Sequence, residues 1–100
     1  MIRLRQVALV AHDLELTTNF LRHVLAVDVC FQDPGVGEFG LHNNLLLVGD
    51  QFLEIVAPIR ADTTAGRLLD KRQADCTGYM ALFEVDDLDR REAHLTAHGV

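Results

Sequence analysis

Cysteine and proline are scarce in this chain of 100 residues, with two of each, and tryptophan is absent. Cys30 and Cys76 are too few for a disulfide framework, and they do not form a Cys-x-x-Cys site. We therefore expect free thiols in a reducing compartment. The first residues include arginines but no continuous apolar segment followed by a small-residue cleavage site, so no secretory signal is indicated. Together these features favour a cytoplasmic protein.

Positive charge is also in short supply. Nine lysines and arginines face fifteen acidic residues, giving a formal net charge of −6. The basic residues are scattered apart from Lys71-Arg72 and Arg90-Arg91, which argues against a nucleic-acid-binding surface. No apolar run reaches the length needed to cross a membrane. The hydrophobic content of 49% is ample for one core at this length.

Several common catalytic motifs are missing. The sequence has neither a glycine-rich phosphate loop nor a Gly-x-Ser-x-Gly elbow. Neither cysteine has a nearby His-Asp pattern, so a thiol nucleophile is not expected. His94 and His98 have the i, i+4 spacing that zinc requires on a helix. They lack the intervening glutamate of a metalloprotease, and their helix should lie outside the sheet, so we expect no native zinc site there.

The hydrophobic pattern predicts the order β-α-β-β-β, a connector, and then β-α. Strands are predicted at 3–11, 27–31, 39–48, 51–57 and from Gly78 onward. The first helix should begin at Leu14, after Asp13 as N-cap, and end near residues 24–26, and the last should run from Leu88 to His98. Asp33-Pro34-Gly35 predicts a turn. The connector, residues 59–77, should contain one or two helical turns.

A strand that leads into Asp-Leu and an amphipathic helix occurs twice, at Asp13-Leu14 and at Asp87-Leu88. Alternation along each strand separates two faces. The face expected under the helices comprises Val7, Leu9 and Ala11 in the first copy and Tyr79, Ala81, Phe83 and Val85 in the second. The opposite face comprises Gln6, Ala8, Val10 and His12, and then Met80, Leu82, Glu84 and Asp86. Polar groups on this second face imply a cavity or a solvated concave surface.

Glu54 is the most informative single residue, because a carboxylate between Leu53 and Ile55 must be paired, solvated or functional if it points inward. The alternative is a surface-facing side chain. From the residues alone, Gln6 is a hydrogen-bonded or solvated glutamine and Met80 a packing residue. Two further candidate pocket residues are Glu84, which is otherwise a solvated acid, and His42, the only histidine expected near the cavity.

At this point the chain resembles the vicinal oxygen chelate superfamily, which includes glyoxalase I, methylmalonyl-CoA epimerase, extradiol dioxygenases and bleomycin-resistance proteins. The resemblance is carried by the β-α-β-β-β order, the strand-Asp-Leu-helix start and Phe52-Leu-Glu-Ile55. The stretches 66–72 and 78–89 are most similar to the epimerase and glyoxalase-like branches. The resemblance implies an α+β fold in which βαβββ modules form a curved mixed sheet around one pocket, with the helices on the outer face.

The resemblance also implies positions for a divalent metal, on the first and fourth strands of each module. These positions correspond to Gln6 and Glu54 in the first module and to Met80 in the second, and the fourth would fall beyond Val100. Amide and carboxylate oxygens suit hard cations or zinc, whereas a thioether is a poor ligand for them. We therefore expect no tightly bound cofactor in this chain. Zinc, nickel, manganese, magnesium or iron is expected only in a complete protein.

The resemblance divides the chain into a first module (1–58), a connector (59–77) and the strand and helix of a second module (78–100). We expect the chain to be a fragment of a longer two-module protein, with an unpaired sheet edge. A ferredoxin-like βαββαβ domain is a third interpretation, but it explains the 39–57 hairpin less well.

Two classes of function remain open. One is a metal-poor pocket that binds a small molecule, as in the bleomycin-resistance branch, and the missing ligand favours it. The other is a metal-dependent lyase, isomerase or epimerase in which Glu54 moves a proton on a carbon next to a carbonyl. The second would operate only in a full-length protein or a dimer. The expected partners are a small molecule and, through a sheet edge or module pairing, a second copy of the chain.

Overall fold

The computed structural model describes every residue from Met1 to Val100. Its five strands are β1 (Ile2–Ala11), β2 (Val29–Phe31), β3 (Leu41–Val48), β4 (Gln51–Pro58) and β5 (Cys76–Val85). Its three α-helices are α1 (Leu14–Leu25), α2 (Thr64–Arg72) and α3 (Leu88–Ala97), and a 3₁₀ segment spans Pro34–Phe39. None of the helices is both long and apolar enough to cross a membrane.

The strands form one open sheet in the order β2-β3-β4-β1-β5. β1 lies parallel to β4, and the remaining neighbours are antiparallel. The sheet is therefore mixed, and the predicted α+β class is confirmed. β1 lies inside the sheet, between β4 and β5, and its two faces are buried by different parts of the chain. Only β1, β3 and β4 contribute fully buried side chains to the sheet.

Two apolar clusters lie on opposite sides of the sheet. On the outer face, α1 packs against a cluster formed by Ala11, Leu14, Leu46, Ile55 and Ala57. On the opposite side, called here the cavity face, α2 packs against a cluster formed by Val10, Leu41, Val56, Ala65 and Leu69. The connector thus supplies a helix that covers one end of the cavity face, whereas α1 lies on the outer face. The candidate site lies on the part of the cavity face that α2 does not cover.

The segment predicted as a turn at Asp33-Pro34-Gly35 continues as the 3₁₀ segment to Phe39. Asp33 caps it, since its Oδ1 accepts a hydrogen bond of 2.8 Å from the Gly35 N–H. Proline at the first position preorganises the backbone dihedral φ, and Gly40 ends the segment with φ of +72°. β3 therefore begins at Leu41, two residues later than the pattern predicts.

Candidate functional site

Glu54 lies on the cavity face of β4, on the same side as Val56. β1 places Ala8 beside it in parallel register, and β3 places Leu45 beside it on the other side. Its carboxylate accepts two short hydrogen bonds, from Gln6 Nε2 to Oε1 at 2.7 Å and from Asn43 Nδ2 to Oε2 at 2.6 Å. Gln6 and Glu54 therefore point to the same face and meet, as strand alternation predicts.

Asn43 fixes the orientation of this carboxylate. The residue is only 3% exposed, and its Oδ1 accepts a 2.8 Å hydrogen bond from the Asp33 N–H. Because Oδ1 is committed to that backbone donor, Nδ2 must be the atom that faces Glu54. A charge held by fixed amide donors is far less costly to bury than an unpaired one. The sequence offered a signal for Asn43, since asparagine is unusual inside a strand.

A cavity of about 600 Å³ opens beside Glu54. Its apolar walls come from the 3₁₀ segment, β3, β4, α2 and β5, through Val36, Phe39, Leu41, Val56, Ala65, Tyr79 and Met80. Its polar groups are Glu38, Glu54, Arg60, Asp62, Thr63 and Thr64. Mostly apolar walls with a few convergent polar groups are the usual lining of a small-molecule site. Glu38 and Arg60 were not anticipated, because no strand or helix periodicity indicates where a side chain in the 3₁₀ segment or the connector points.

β5 contributes both Met80 and Tyr79 to this cavity. Met80 pairs with Ala8, next to Glu54, as alternation predicts. Tyr79 was expected under the helices on the outer face, and that placement is wrong. The pairing of β1 with β5 shifts between Ala8 and Leu9, which leaves Tyr79 as an extra residue opposite that step. A β-bulge of this kind puts two consecutive side chains on one face, so Tyr79 packs against the cluster on the cavity face.

Of the five predicted pocket residues, only Glu54 and Met80 line this cavity. Gln6 is joined to the site by its hydrogen bond to Glu54, and His42 and Glu84 lie outside it. His42 is exposed and stands beside Ala57, which belongs to the cluster on the outer face, so its side chain is on the other side of the sheet. Glu84 lies near the far end of β5, where its Oε1 is 3.6 Å from Arg3 Nε. The two corrections differ in origin. His42 lies on the other face of the sheet, whereas Glu84 lies on the cavity face at a position along β5 that strand parity does not specify. Gln6, Glu54 and Met80 are brought together.

The remaining histidines and cysteines form no recognisable centre. The rings of His94 and His98 lie 4.4 Å apart, and His98 Nδ1 is 2.8 Å from the His94 carbonyl oxygen. No group of three or more histidine, cysteine, aspartate and glutamate side chains has metal-binding proximity. Both cysteines are free. Burial raises the pKa of the Cys76 thiol, which disfavours the nucleophilic thiolate.

The donors at the positions implied for a divalent metal do not form a fitting set. Gln6 and Glu54 each offer oxygen, but the Gln6 amide presents its N–H₂ group to Glu54. Asn43 likewise presents nitrogen, held that way by Asp33. The third position holds the thioether of Met80, which hard cations and zinc do not favour. Two oxygen donors fall short of the three or four protein ligands of a stable zinc site.

Solved structures of known proteins share this fold. The Streptomyces coelicolor methylmalonyl-CoA epimerase in complex with 2-nitronate-propionyl-CoA is 24% identical to the chain, with a TM-score of 0.84 over 98% of this chain and 72% of that one. A methylmalonyl-CoA epimerase in complex with methylmalonyl-CoA and NH4+ is also 24% identical, with a TM-score of 0.85, and the match covers 100% of this chain and 72% of that one. The methylmalonyl-CoA epimerase from Mycobacterium tuberculosis is 22% identical, with a TM-score of 0.82, and the match covers 97% of this chain and 64% of that one.

No family model and no curated protein matches the sequence. At these identities the likeness to the epimerases establishes the fold. The resemblance to methylmalonyl-CoA epimerases inferred from the strand-Asp-Leu-helix start and from Phe52-Leu-Glu-Ile55 is confirmed at the level of the fold.

Proposed function

We propose that the chain is a glyoxalase-like domain that binds a small organic molecule in the cavity beside Glu54. The observation that carries this proposal is the Glu54 carboxylate, which is held by Gln6 and Asn43 at the edge of a mostly apolar cavity of about 600 Å³. Cavities that bind small molecules commonly have volumes of roughly 300–1,000 Å³. The apolar walls would bind most of the ligand surface, and the polar groups would set its orientation.

Glu54 serves in this proposal as a fixed acceptor. Each of its oxygens already accepts one amide hydrogen bond, and an ionised carboxylate has further lone pairs for an N–H or O–H of the ligand. Because Asn43 is itself held by the Asp33 N–H, the acceptor keeps its orientation before the ligand arrives. Such preorganisation reduces the entropic cost of binding.

Nuclear magnetic resonance titration of the backbone amides tests this function. We expect methylmalonyl-CoA or propionyl-CoA to produce saturable shifts at Val56, Ala65 and Tyr79, with weaker binding after Glu54→Gln. Glu84→Gln is the matched control, because it changes a carboxylate on β5 that lies outside the cavity. Shifts confined to α3, or equal affinity in the two variants, would contradict the role of Glu54.

Proton transfer at a carbon next to a carbonyl is a second candidate function, in line with the epimerases that share the fold. The specific observation is that Glu38, from the 3₁₀ segment, and Glu54, from β4, line the same cavity from different walls. One carboxylate would take the proton from the carbon, leaving an enolate. The other, as a carboxylic acid, would return a proton to the opposite side and so invert the configuration.

This candidate has a direct test. Methylmalonyl-CoA incubated with the chain in D₂O should exchange its C2 proton for deuterium, as followed by mass spectrometry. We expect Glu38→Gln and Glu54→Gln each to abolish the interconversion of the two C2 configurations, while exchange from one configuration can persist, and Glu84→Gln should leave both unchanged. Interconversion that persists in both cavity variants would remove the two carboxylates from the mechanism.

We further propose that the chain retains divalent metal weakly, because it supplies only two oxygen donors at the implied position. After addition of zinc, manganese or nickel and desalting, elemental analysis should find well below one ion per chain. Met80→His, which adds an imidazole beside Glu54, should increase retention. One ion retained per unmodified chain, and lost in Glu54→Gln, would restore the metalloenzyme interpretation.

A further inference from the structure

The cavity contains one basic side chain, that of Arg60, which follows β4 on the way to α2. Arg3 and Arg22 bind Asp50 and Asp28, and Arg67 binds the Asp62 carbonyl oxygen. Arg72, Arg90 and Arg91, which have no such partners, lie on α2 and α3 outside the cavity. Arg60 forms neither a side-chain hydrogen bond nor an ion pair. Its guanidinium donors are therefore available inside a cavity where all other charged groups are acidic.

The guanidinium occupies a specific place, over the backbone of Gly40 and beside Thr63. A Cβ atom built on Gly40 would lie 2.7 Å from Arg60 Cζ, 2.8 Å from Arg60 Nε and 2.8 Å from Thr63 Cγ2. Only glycine leaves this space open, and the φ of +72° at Gly40 also favours glycine. The Ile59 N–H donates a 2.9 Å hydrogen bond to the Gly40 carbonyl oxygen and so ties the two segments together.

The acidic groups of the cavity do not neutralise Arg60. Glu54 is held by Gln6 and Asn43, and neither Glu38 nor Asp62 forms an ion pair with the guanidinium. A planar guanidinium with free donors matches a carboxylate through two parallel hydrogen bonds. The apolar side chains Val36, Phe39 and Tyr79 line the same cavity and would contact an apolar body.

We propose that Arg60, seated over Gly40, binds a carboxylate of the ligand, so that the natural ligand is an amphipathic organic acid. This inference rests on the proposed small-molecule function and specifies its ligand class. Arg60 is exposed, so the alternative is an arginine that is solvated at the mouth of the cavity and binds no ligand. The two interpretations differ in whether ligand charge and Arg60 depend on each other.

Two matched probes separate these interpretations: 3-phenylpropionate, which is anionic, and 3-phenylpropanamide, which is neutral and nearly the same shape. Backbone amide shifts at Ala65, Val56 and Tyr79 report binding in the cavity. We expect Arg60→Gln to weaken the binding of 3-phenylpropionate by about tenfold or more, because a charge-assisted bidentate pair is lost. The binding of 3-phenylpropanamide should be unchanged. Arg72→Gln, at the exposed end of α2, is the charge-matched control and should change neither.

A second pair of variants tests the seat of the guanidinium. Gly40→Ala strains a positive φ and also collides with Arg60, whereas Gly49→Ala strains a φ of +62° with nothing within 4 Å of the new Cβ. We expect only Gly40→Ala to weaken the binding of 3-phenylpropionate more than that of 3-phenylpropanamide. If Gly40→Ala fails to fold, the Arg60→Gln comparison remains decisive by itself.

Each outcome decides the proposal. Equal binding of the two probes, or carboxylate binding that Arg60→Gln leaves intact, overturns the role of Arg60 while the cavity function stands. Failure of both probes to shift the cavity amides overturns this proposal together with the ligand class. The separate titrations with acyl-CoA compounds and Glu54→Gln then show whether the cavity function has failed as well.

Discussion

The two strand-Asp-Leu-helix copies have the same local structure and opposite burial. In each copy the aspartate caps the helix: Asp13 Oδ1 accepts a 3.0 Å hydrogen bond from the Leu16 N–H, and Asp87 Oδ1 one of 3.0 Å from the Arg90 N–H. Yet Leu14, which follows the first cap, is 7% exposed, whereas Leu88, which follows the second, is 72% exposed. The signal that starts a helix is therefore independent of the contacts that bury it.

The difference comes from the strands that stand beside each copy. β1 is flanked by β4 and β5, and α1 packs over side chains from β3 and β4. β5 pairs only with β1, and α3 has no buried residue. The outer face of the second copy therefore has no apolar layer from this chain to pack against. The candidate site follows the same division, because all its polar groups belong to residues 6–64.

The largest expected contrast is between Leu14→Ala and Leu88→Ala, which remove the same side chain from equivalent positions. Leu14→Ala should lower the free energy of unfolding by about 2–5 kcal/mol, because it leaves a cavity in the cluster under α1. Leu88→Ala should change it by no more than about 0.5 kcal/mol. Urea denaturation checks both. Similar losses in the two variants would break the comparison.

A smaller contrast is expected within the site, between Asn43→Leu and Met80→Leu. Asn43→Leu leaves the Asp33 N–H and one Glu54 oxygen without their partner, which should cost about 1–3 kcal/mol of unfolding free energy. Met80 is half exposed and shares no hydrogen bond, so Met80→Leu should cost less than about 1.5 kcal/mol. Thermal denaturation of the two variants gives the ranking, and the reverse order would show that the network does not support the fold.

A smaller difference in stability is expected between variants of the two N-cap residues, Asp13 and Asp87. Asp13→Ala should lower global stability by about 1 kcal/mol. Asp87→Ala removes an equivalent hydrogen bond from a helix that packs weakly, so it should accelerate amide hydrogen exchange within α3 and leave the urea midpoint almost unchanged. Hydrogen exchange followed by mass spectrometry resolves both effects. A shift of the midpoint in Asp87→Ala would mean that α3 unfolds together with the rest of the domain.

The smallest effect concerns pH at the end of β5. A hydrogen bond of 3.0 Å from the N-terminal ammonium group holds the pKa of the Asp86 carboxyl below its usual value. A carboxyl whose pKa is lowered in the folded state stabilises the fold at pH values above its unfolded-state pKa. This contribution disappears as the pH falls below about 4 and then passes the folded-state pKa. Acetylation of the N-terminus should therefore lower the urea midpoint slightly at pH 7 and not at pH 2. Both groups are exposed, so added salt should reduce the difference.

Strand alternation correctly predicted that Gln6, Glu54 and Met80 share a face, because side chains in a strand point to the two faces in turn. The same reasoning misplaced Tyr79, since a bulge breaks the alternation and its position depends on how β5 pairs with β1. It could not find Glu38 or Arg60, which lie in the 3₁₀ segment and the connector, where no period applies. It also could not tell that Glu84 lies too far along β5 to reach the cavity.

The sequence by itself determined the local structure of this protein: the strands, the capped helices, the α+β class and the face of Glu54. These follow from side-chain periodicity and from hydrogen bonds between residues close in the chain. The tertiary structure alone decided that Asn43 orients Glu54, that Arg60 lies over Gly40, and that α1 is buried while α3 is exposed. Those features depend on contacts between distant segments, which form only when the sheet is assembled.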